Sequence, residues 1–350
     1  MGEEDLDKDT RRHGEPNPVI NALSNAVAAL RADDDQLALA KAFDGLQPKA
    51  IEKLDPAEAR LQPTAADAVK ALLLQQGRPT DPTLLVPGVS HRDTTVRGAT
   101  GDLPARVFTP EGAGPFPLIV YFHGGGWVIA DKQVYDSGAR GLAKEAGAVV
   151  VSVDYRQAPE FKFPAAWEDA LAAYQYVVEN ADLFQGDASR VALAGESAGG
   201  NLAVATAVAV RDARLPPPVH VLSVYPVTQT SLNTESYLEN AIAKPLNRAM
   251  VKWFVDHLVR SEDDLQDTRL QLIEADLRGL PPVTIINARL DPLRSDGAKL
   301  DDALEDAGVE VERREYEGVA HEFFGGAAVL QKARDAQAFA GERLRAAFAR

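Results

Sequence analysis

Apolar residues recur with helical spacing in the first quarter of the chain and with strand spacing after it. Residues 1–16 are mostly charged or polar, a composition typical of a disordered tail. Residues 17–85 show apolar positions three and four residues apart, which predict helices at 19–30, 36–43 and 64–75. Glycine and proline then cluster between residues 77 and 88. These turn-forming residues end the N-terminal helical region.

From residue 86 onward, short apolar runs alternate with helical patterns. The runs predict eight strands, at 94–97, 105–109, 118–122, 148–153, 190–194, 219–225, 283–288 and 310–316. Helical patterns lie among them, at 135–146, 164–179, 198–211, 295–307 and 328–348. This alternation predicts an α/β fold with a mainly parallel eight-stranded sheet and helices on both faces. The predicted catalytic domain comprises residues 86–227 and 268–350.

Residues 228–267 interrupt the alternation. Two helical patterns, at 236–241 and 247–259, stand where the next strand would be expected. An insertion at this position, beside the candidate nucleophile described below, predicts a cap over the site, although a simple surface excursion would give the same pattern.

Composition limits the classes of partner. The 350 residues are 45% hydrophobic and 25% charged, typical of a globular protein with a sizeable core. The formal net charge of −15 disfavours nucleic acid and anionic membranes, and favours a neutral or weakly polar small molecule. The chain has no cysteine, which excludes disulfides, a thiolate nucleophile and a Cys-ligated zinc. No apolar run is long enough for a membrane span and the first residues are acidic, so we expect a cytoplasmic protein.

The candidate nucleophile is Ser197, in the sequence Gly-Glu-Ser-Ala-Gly at 195–199. The motif follows an apolar strand and precedes a helix. A sharp turn at that junction exposes the serine hydroxyl, and the amide of Ala198 points toward the oxygen that becomes negative during acyl transfer. A phosphate-binding loop is excluded, because Asn201 and Leu202 stand where its lysine and hydroxyl residue belong.

A serine nucleophile needs a base and a carboxylate that orients the base. Of the six histidines, His321 follows the last predicted strand, and Asp291 follows the strand before it. The carboxyl ends of parallel strands share one edge, so Ser197, Asp291 and His321 are expected to converge. Asp296 is the competing acid, but it stands at a predicted helix start. Glu322 completes no metalloprotease motif, because Gly325 replaces the second histidine, and no metal site is predicted.

A glycine loop follows the strand at 118–122. It consists of His123, Gly124, Gly125, Gly126 and Trp127. Glycines let backbone amides approach a developing oxyanion without side chains in the way. We therefore expect this loop to supply oxyanion donors, with His123 and Gly124 supporting it and His123 not acting as the base.

Five motifs together resemble the bacterial hormone-sensitive-lipase-like esterases, an α/β-hydrolase family. They are the stretches 123–127, 154–160, 195–199, 291–293 and 321–323, and the resemblance covers about residues 85–350. It implies a triad of Ser197, Asp291 and His321, oxyanion donors at Gly125, Gly126 and Ala198, and no cofactor. It also implies a cap formed by the helices of 17–85 together with the insertion 228–267, and a homodimer. Glu196 and Glu322 depart from the residues common in the family.

The function predicted from these features is a serine carboxylesterase. The family implies short- to medium-chain acyl esters as substrates. Trp127, Tyr225 and Phe323, with Met250, are candidates for lining an apolar substrate pocket, although core packing explains each equally well. Two alternatives stay open: a non-catalytic small-molecule receptor on the same fold, and an amidase, lactonase or deacetylase with the same triad.

Overall fold

The computed structural model describes residues 31–350. The predicted tail at 1–16 and the predicted helix at 19–30 lie outside the described residues. The centre of the fold is one eight-stranded sheet with the order β1-β2-β4-β3-β5-β6-β7-β8. Its strands are β1 Val89–Arg97, β2 Asp102–Pro110, β3 Phe116–Phe122, β4 Val149–Val153, β5 Gly186–Glu196, β6 Val221–Val224, β7 Val283–Leu290 and β8 Val311–Ala320. The predicted fold class, a mainly parallel sheet of eight strands, is confirmed.

Helices cover both faces of the sheet. They are α1 Asp34–Gly45, α2 Pro56–Ala59, α3 Ala65–Gln75, α4 Pro82–Leu85, α5 Asp136–Ala146, α6 Ala165–Glu179, α7 Ala198–Asp212, α8 Glu235–Glu239, α9 Arg248–Leu258, α10 Arg294–Asp306 and α11 Gln331–Phe348. Short 3-10 helices occur at Ile51–Lys53, Ala181–Phe184, Glu262–Gln266, Leu272–Glu274 and Phe323–Gly326.

The first two strands are longer than the sequence predicts. β1 and β2, each nine residues long, form an antiparallel hairpin in which Val89 pairs with Pro110 and Arg97 with Asp102. The sequence predicts only short segments there, because β1 is an edge strand whose middle residues are exposed and polar. An edge strand lacks the continuous apolar run that marks a strand buried on both faces.

The central strands are buried on both faces, and successive side chains enter two separate cores. In β3, Leu118 and Val120 pack into one core with Trp167 of α6, whereas Ile119 packs into the other with Leu142 of α5 and Phe339 of α11. The period of two in a strand places neighbouring residues on opposite faces. A continuous apolar run therefore gives a sheet with helices on both sides, and its carboxyl edge is left to form the site.

The N-terminal helices and the insertion 228–267 lie over this edge. The guanidinium of Arg60 donates to the backbone oxygens of Val128 and Ala158 and pairs with Glu160 at 2.7 Å. An ion pair of 2.6 Å joins Lys244 of the insertion to Asp44 of α1. These contacts connect the two predicted parts of the cap to each other and to the sheet domain.

Among residues 31–350, no helix combines the length and the apolar character that crossing a bilayer requires. Within the same range, β8 pairs only with β7 and forms one edge of the sheet. The homodimer expected from the family resemblance stays a prediction.

A buried histidine makes stability depend on pH. His220 immediately precedes β6, is 1% exposed, and has its Nε2 atom 2.9 Å from the Thr284 hydroxyl. Burial lowers the pKa of His220 to about 4, from an ordinary value of 6.5. As the pH falls below about 6.5, the unfolded chain takes up a proton here that the folded chain does not accept until about pH 4. The native state therefore loses stability between these values.

We expect the variant His220→Gln to lose less stability than the parent protein between pH 6.5 and pH 4. Glutamine removes the titration and keeps a polar group beside Thr284. The measurement is the free energy of unfolding by urea at several pH values, with His91→Gln as the control at an exposed histidine. An identical pH dependence in His220→Gln and the parent protein would contradict the assignment.

Candidate active site

Ser197 occupies a strained turn between β5 and α7. Its φ angle is +58°, in a region that non-glycine residues rarely adopt, and its amide donates to the Val224 oxygen at 2.8 Å. The turn needs glycine at positions 195 and 199, because a Cβ at either would overlap backbone atoms. The close packing of strand and helix thus presents the serine hydroxyl at the carboxyl edge of the sheet.

The structure brings the three residues predicted as a triad together. His321 Nε2 lies 3.1 Å from Ser197 Oγ, and His321 Nδ1 lies 2.7 Å from Asp291 Oδ2. Asp291 follows β7 and His321 follows β8, so all three side chains come from the carboxyl ends of parallel strands. The arrangement lets the imidazole accept a proton from the serine while the carboxylate holds its other nitrogen.

Burial and charge act in opposite directions on His321. Burial alone lowers the pKa of the imidazole, but attraction and hydrogen bonding to the Asp291 carboxylate outweigh it, and the net pKa is raised above 6.5. The ring also lies 4.5 Å from the ring of Tyr225 between centroids. The imidazole is therefore a stronger base than an exposed histidine, and it is protonated at mildly acidic pH.

Asp296, the competing acid, is placed elsewhere. It lies in the first turn of α10, fully buried, and its carboxyl accepts from the Thr228 amide and the Gln229 side chain, each at 3.0 Å. Burial raises the pKa of Asp296 to about 7. Its hydrogen bonds hold the start of the insertion and do not reach His321.

The glycine loop presents free amides beside the serine. Gly125 has a φ angle of +98°, and a Cβ there would overlap the oxygen of Ile129. The amides of Gly125, Gly126 and Ala198 donate to no other residue in the described part of the chain. Unpaired amides that converge near a serine hydroxyl can stabilise a tetrahedral oxyanion.

His123 and the stretch 154–160 support this loop from behind. The ring of His123 stacks on Tyr155 at 4.5 Å, and the Tyr155 hydroxyl donates to the His123 oxygen at 2.8 Å. The Gln157 amide donates to the oxygens of Ile129 and Ala130 at 2.9 and 3.0 Å. These contacts fix the backbone on which the free amides lie.

A cavity of about 680 Å³ opens at the glycine loop. Its walls come from the N-terminal region between residues 43 and 65, from the loop between 125 and 134, and from residues 244–250 of the insertion, including Met250. Glu322 borders this cavity and also a smaller one of about 30 Å³, which His321 and Phe323 line. The cavity lies between the N-terminal helices, the insertion and the sheet edge.

Two of the three predicted pocket residues require correction. Trp127 is 2% exposed and stacks on Trp167 at 5.2 Å, and the ring of Tyr225 is fully buried against His321. Neither is among the described residues that line the large cavity, because both side chains pack into the interior of the protein. Phe323 lines only the smaller cavity.

The two glutamates that depart from the family have defined partners. The hydroxyls of Tyr121 and Tyr225 each donate to one carboxyl oxygen of Glu196, which is 1% exposed. Burial raises the pKa of Glu196 to about 7, although both tyrosine hydrogen bonds act to lower it. The Tyr135 hydroxyl donates to Glu322 at 2.9 Å. Neither tyrosine partner of Glu196 is near it in sequence, so periodicity carries no signal of this cluster.

We expect the free energy of unfolding of Glu196→Gln, measured relative to the parent protein, to be higher at alkaline pH than at acidic pH. Between about pH 4.5 and pH 7 the unfolded carboxyl ionises while the folded one stays protonated, so the native state loses stability as the pH rises. Removing that titration yields a relative gain on the order of 3 kcal/mol between pH 5 and pH 8. Urea unfolding at both pH values measures it, with the exposed Glu111→Gln as control. A difference between variant and parent protein that is the same at both pH values would refute the expectation.

Among residues 31–350, no group of three or more His, Asp or Glu side chains is arranged to hold a metal ion.

Comparison with known proteins points in one direction. The sequence profile of the α/β-hydrolase-fold family matches residues 119–325. The carboxylesterase NlhH of Mycobacterium tuberculosis is 41% identical over 280 residues, which cover 78% of this chain and 88% of that enzyme. An esterase of Pyrobaculum calidifontis superposes with a TM-score of 0.77 at 32% identity, covering 87% of this chain and 97% of that one. A thermostable esterase of Pseudomonas putida superposes with a TM-score of 0.80 at 29% identity, covering 91% of this chain and 98% of that one.

Proposed function

The chain belongs to the hormone-sensitive-lipase-like esterase family of the α/β-hydrolase superfamily and is a carboxylic ester hydrolase, and we propose that it works through an acyl-enzyme on Ser197. His321 is the general base and acid, and Asp291 orients it. The observation that carries this assignment is the continuous chain of contacts from Ser197 Oγ to His321 Nε2 and from His321 Nδ1 to Asp291 Oδ2.

The reaction has two halves. In the first, Ser197 Oγ attacks the ester carbonyl and its proton passes to His321 Nε2. The bond to the alcohol then breaks, and His321 returns the proton to the departing oxygen. In the second half, His321 takes a proton from water, the hydroxide attacks the acyl-enzyme, and Ser197 regains its proton as the acid leaves. Asp291 stabilises the imidazolium at both stages.

The amides of Gly125, Gly126 and Ala198 form the proposed oxyanion hole. They are unpaired within the described residues and rigidly held, so they need no reorganisation when negative charge develops on the carbonyl oxygen. Each such donor contributes roughly 3 kcal/mol to stabilising the transition state in enzymes of this kind.

Short- to medium-chain esters suit the cavity. Its volume of about 680 Å³ lies within the range of small-molecule sites, and residues such as Phe43, Ile129 and Met250 give it apolar walls. The N-terminal helices and the insertion supply most of these walls, which supports their proposed role as a cap.

The alternatives differ in what supports them. A non-catalytic receptor has no need of an imidazole within hydrogen-bonding distance of the serine, and the named relatives are esterases, so the receptor is disfavoured. Amides, lactones and acetylated amines require the same triad and oxyanion donors, and they form part of the substrate test.

The experiment is a panel of p-nitrophenyl esters from acetate to palmitate, together with matched amides, lactones and acetylated amines. We expect kcat/KM to be highest among acyl chains of roughly two to eight carbons, the short to medium range that the family resemblance implies and that a small-molecule cavity of this size accommodates. A burst of p-nitrophenol equal to the enzyme concentration would identify an acyl-enzyme. Activity on amides alone, or on no acyl compound, would refute the proposal.

A further inference from the structure

The cap insertion reaches the loop of the proposed acid through helix α8. Ser236 of this helix is fully buried, and its hydroxyl donates to the Pro292 oxygen at 2.6 Å. The same hydroxyl accepts from the Ser295 amide at 3.0 Å. One side chain of the cap therefore makes hydrogen bonds to the backbone on both sides of Leu293.

Asn240, which follows the last residue of α8, extends this contact to the backbone of Asp291. Its side-chain amide donates to the backbone oxygen of Asp291 at 3.3 Å and to that of Ser236 at 3.1 Å. Arg294 adds an ion pair of 2.9 Å with Glu239. The loop from 291 to 295 is thus held from the cap side at several points.

The start of the insertion holds the first turn of α10, which follows that loop. Asp296 accepts from the Thr228 amide, and its own backbone oxygen accepts from the Thr228 hydroxyl at 2.9 Å. Two parts of the insertion, its start at Thr228 and helix α8, therefore form hydrogen bonds with residues 291–296.

The orientation of the Asp291 carboxyl depends on this loop. Its Oδ1 atom accepts from the Leu293 amide at 2.8 Å, and its Oδ2 atom contacts His321. A shift of the backbone at 291–293 turns the carboxyl relative to the imidazole. We propose that Ser236 and Asn240 are positioning residues, through which the cap sets the contact between Asp291 and His321.

This inference rests on the proposed role of Asp291. It implies that the cap acts on the catalytic step as well as on substrate binding. The titratable groups that face the imidazole are Asp291 after β7, Glu322 beside it, Glu196 at the end of β5, and Tyr225 after β6. Of these, only Asp291 belongs to the loop that α8 holds.

The test is the double variant Ser236→Ala/Asn240→Ala. We expect kcat to fall between about 10- and 100-fold with a smaller change in KM, because a displacement near 1 Å suffices for such a loss. The acidic limb of the kcat/KM profile should move to lower pH, since a weaker contact with Asp291 lowers the pKa of His321. Ser236→Thr, which keeps the hydroxyl, should restore most of the rate lost in Ser236→Ala.

Two comparisons separate positioning from general damage to the cap. Thr230→Val removes another hydrogen-bonding hydroxyl of the insertion, a partly buried one that binds Leu265 and Gln271, and it should leave the pH profile unchanged. In an Asp291→Asn background, the double variant should cause little further loss, because the residue it acts through is already changed. Full activity of Asp291→Asn itself would refute the proposed triad.

An unchanged acidic limb in the double variant would overturn the inference, as would losses that multiply fully with those of Asp291→Asn. If the double variant does not fold, the single variants Ser236→Ala and Asn240→Ala provide the same comparison. Thermal unfolding of each variant measures its stability separately from its kinetics.

Discussion

Replacing Ser197 with alanine is expected to reduce ester hydrolysis roughly 10,000-fold or more. Without Oγ no acyl-enzyme can form, and what remains is slow attack by water near the oxyanion donors. The measurement is kcat/KM on p-nitrophenyl butyrate, together with the loss of the p-nitrophenol burst. KM or a binding constant should change little, because the loss of one hydroxyl leaves the residues that line the cavity unchanged.

Ser189→Ala is the matched control. Ser189 lies on the same strand, β5, but at the exposed end away from the site, and within residues 31–350 its hydroxyl donates only to Asp187. It should retain the activity of the parent protein. A Ser197→Ala protein that still hydrolyses the ester at a similar rate would move the reaction to another residue.

Replacing Asp291 with asparagine is expected to reduce kcat by about 10⁴-fold, as comparable changes do in other serine hydrolases. The asparagine amide can donate to His321 Nδ1, which favours the tautomer with a proton on Nε2. That nitrogen then cannot accept the proton of Ser197. The loss of the carboxylate also lowers the pKa of His321, so the acidic limb of the kcat/KM profile should move to lower pH.

Asp296→Asn provides the comparison at the competing acid. Asp296 is equally buried but binds Thr228 and Gln229. Its replacement therefore acts on the site only indirectly, through the segment that it anchors, and should lower kcat by less than about 10-fold. The reverse order, with Asp296→Asn inactive and Asp291→Asn active, would show that the acid has been assigned wrongly.

Local pattern predicted the sheet well, and the reason is visible in particular elements. β3 and β7 are buried on both faces and their apolar runs are continuous, so the predicted bounds lie close to the observed ones. The prediction for β5 misses residues 186–189, where Ala188 and Ser189 are exposed. The hairpin of β1 and β2 was predicted too short, because exposed strand positions accept polar residues without cost. The alternation of strand and helix was enough for the parallel topology.

The candidate site, like the sheet, was predictable from the sequence only in part. Ser197, Asp291 and His321 each follow a predicted strand, so the common edge of a parallel sheet implied that they meet. The substrate pocket was not predictable from composition, since Trp127 and Tyr225 are aromatic residues of the core and not of the cavity wall. An apolar side chain serves either place equally well, and only its packing partners separate the two.

The amino-acid sequence by itself determined the order of strands and helices, the turn that carries Ser197, and the glycine loop, because each depends on residues adjacent in the chain. Only the tertiary structure decided which tyrosines bind Glu196, which carboxylate meets His321, and how the cap holds the loop of Asp291. Those contacts join residues 29 to 75 positions apart in the chain. Their distances follow from packing, which no local pattern of hydrophobic and polar residues encodes.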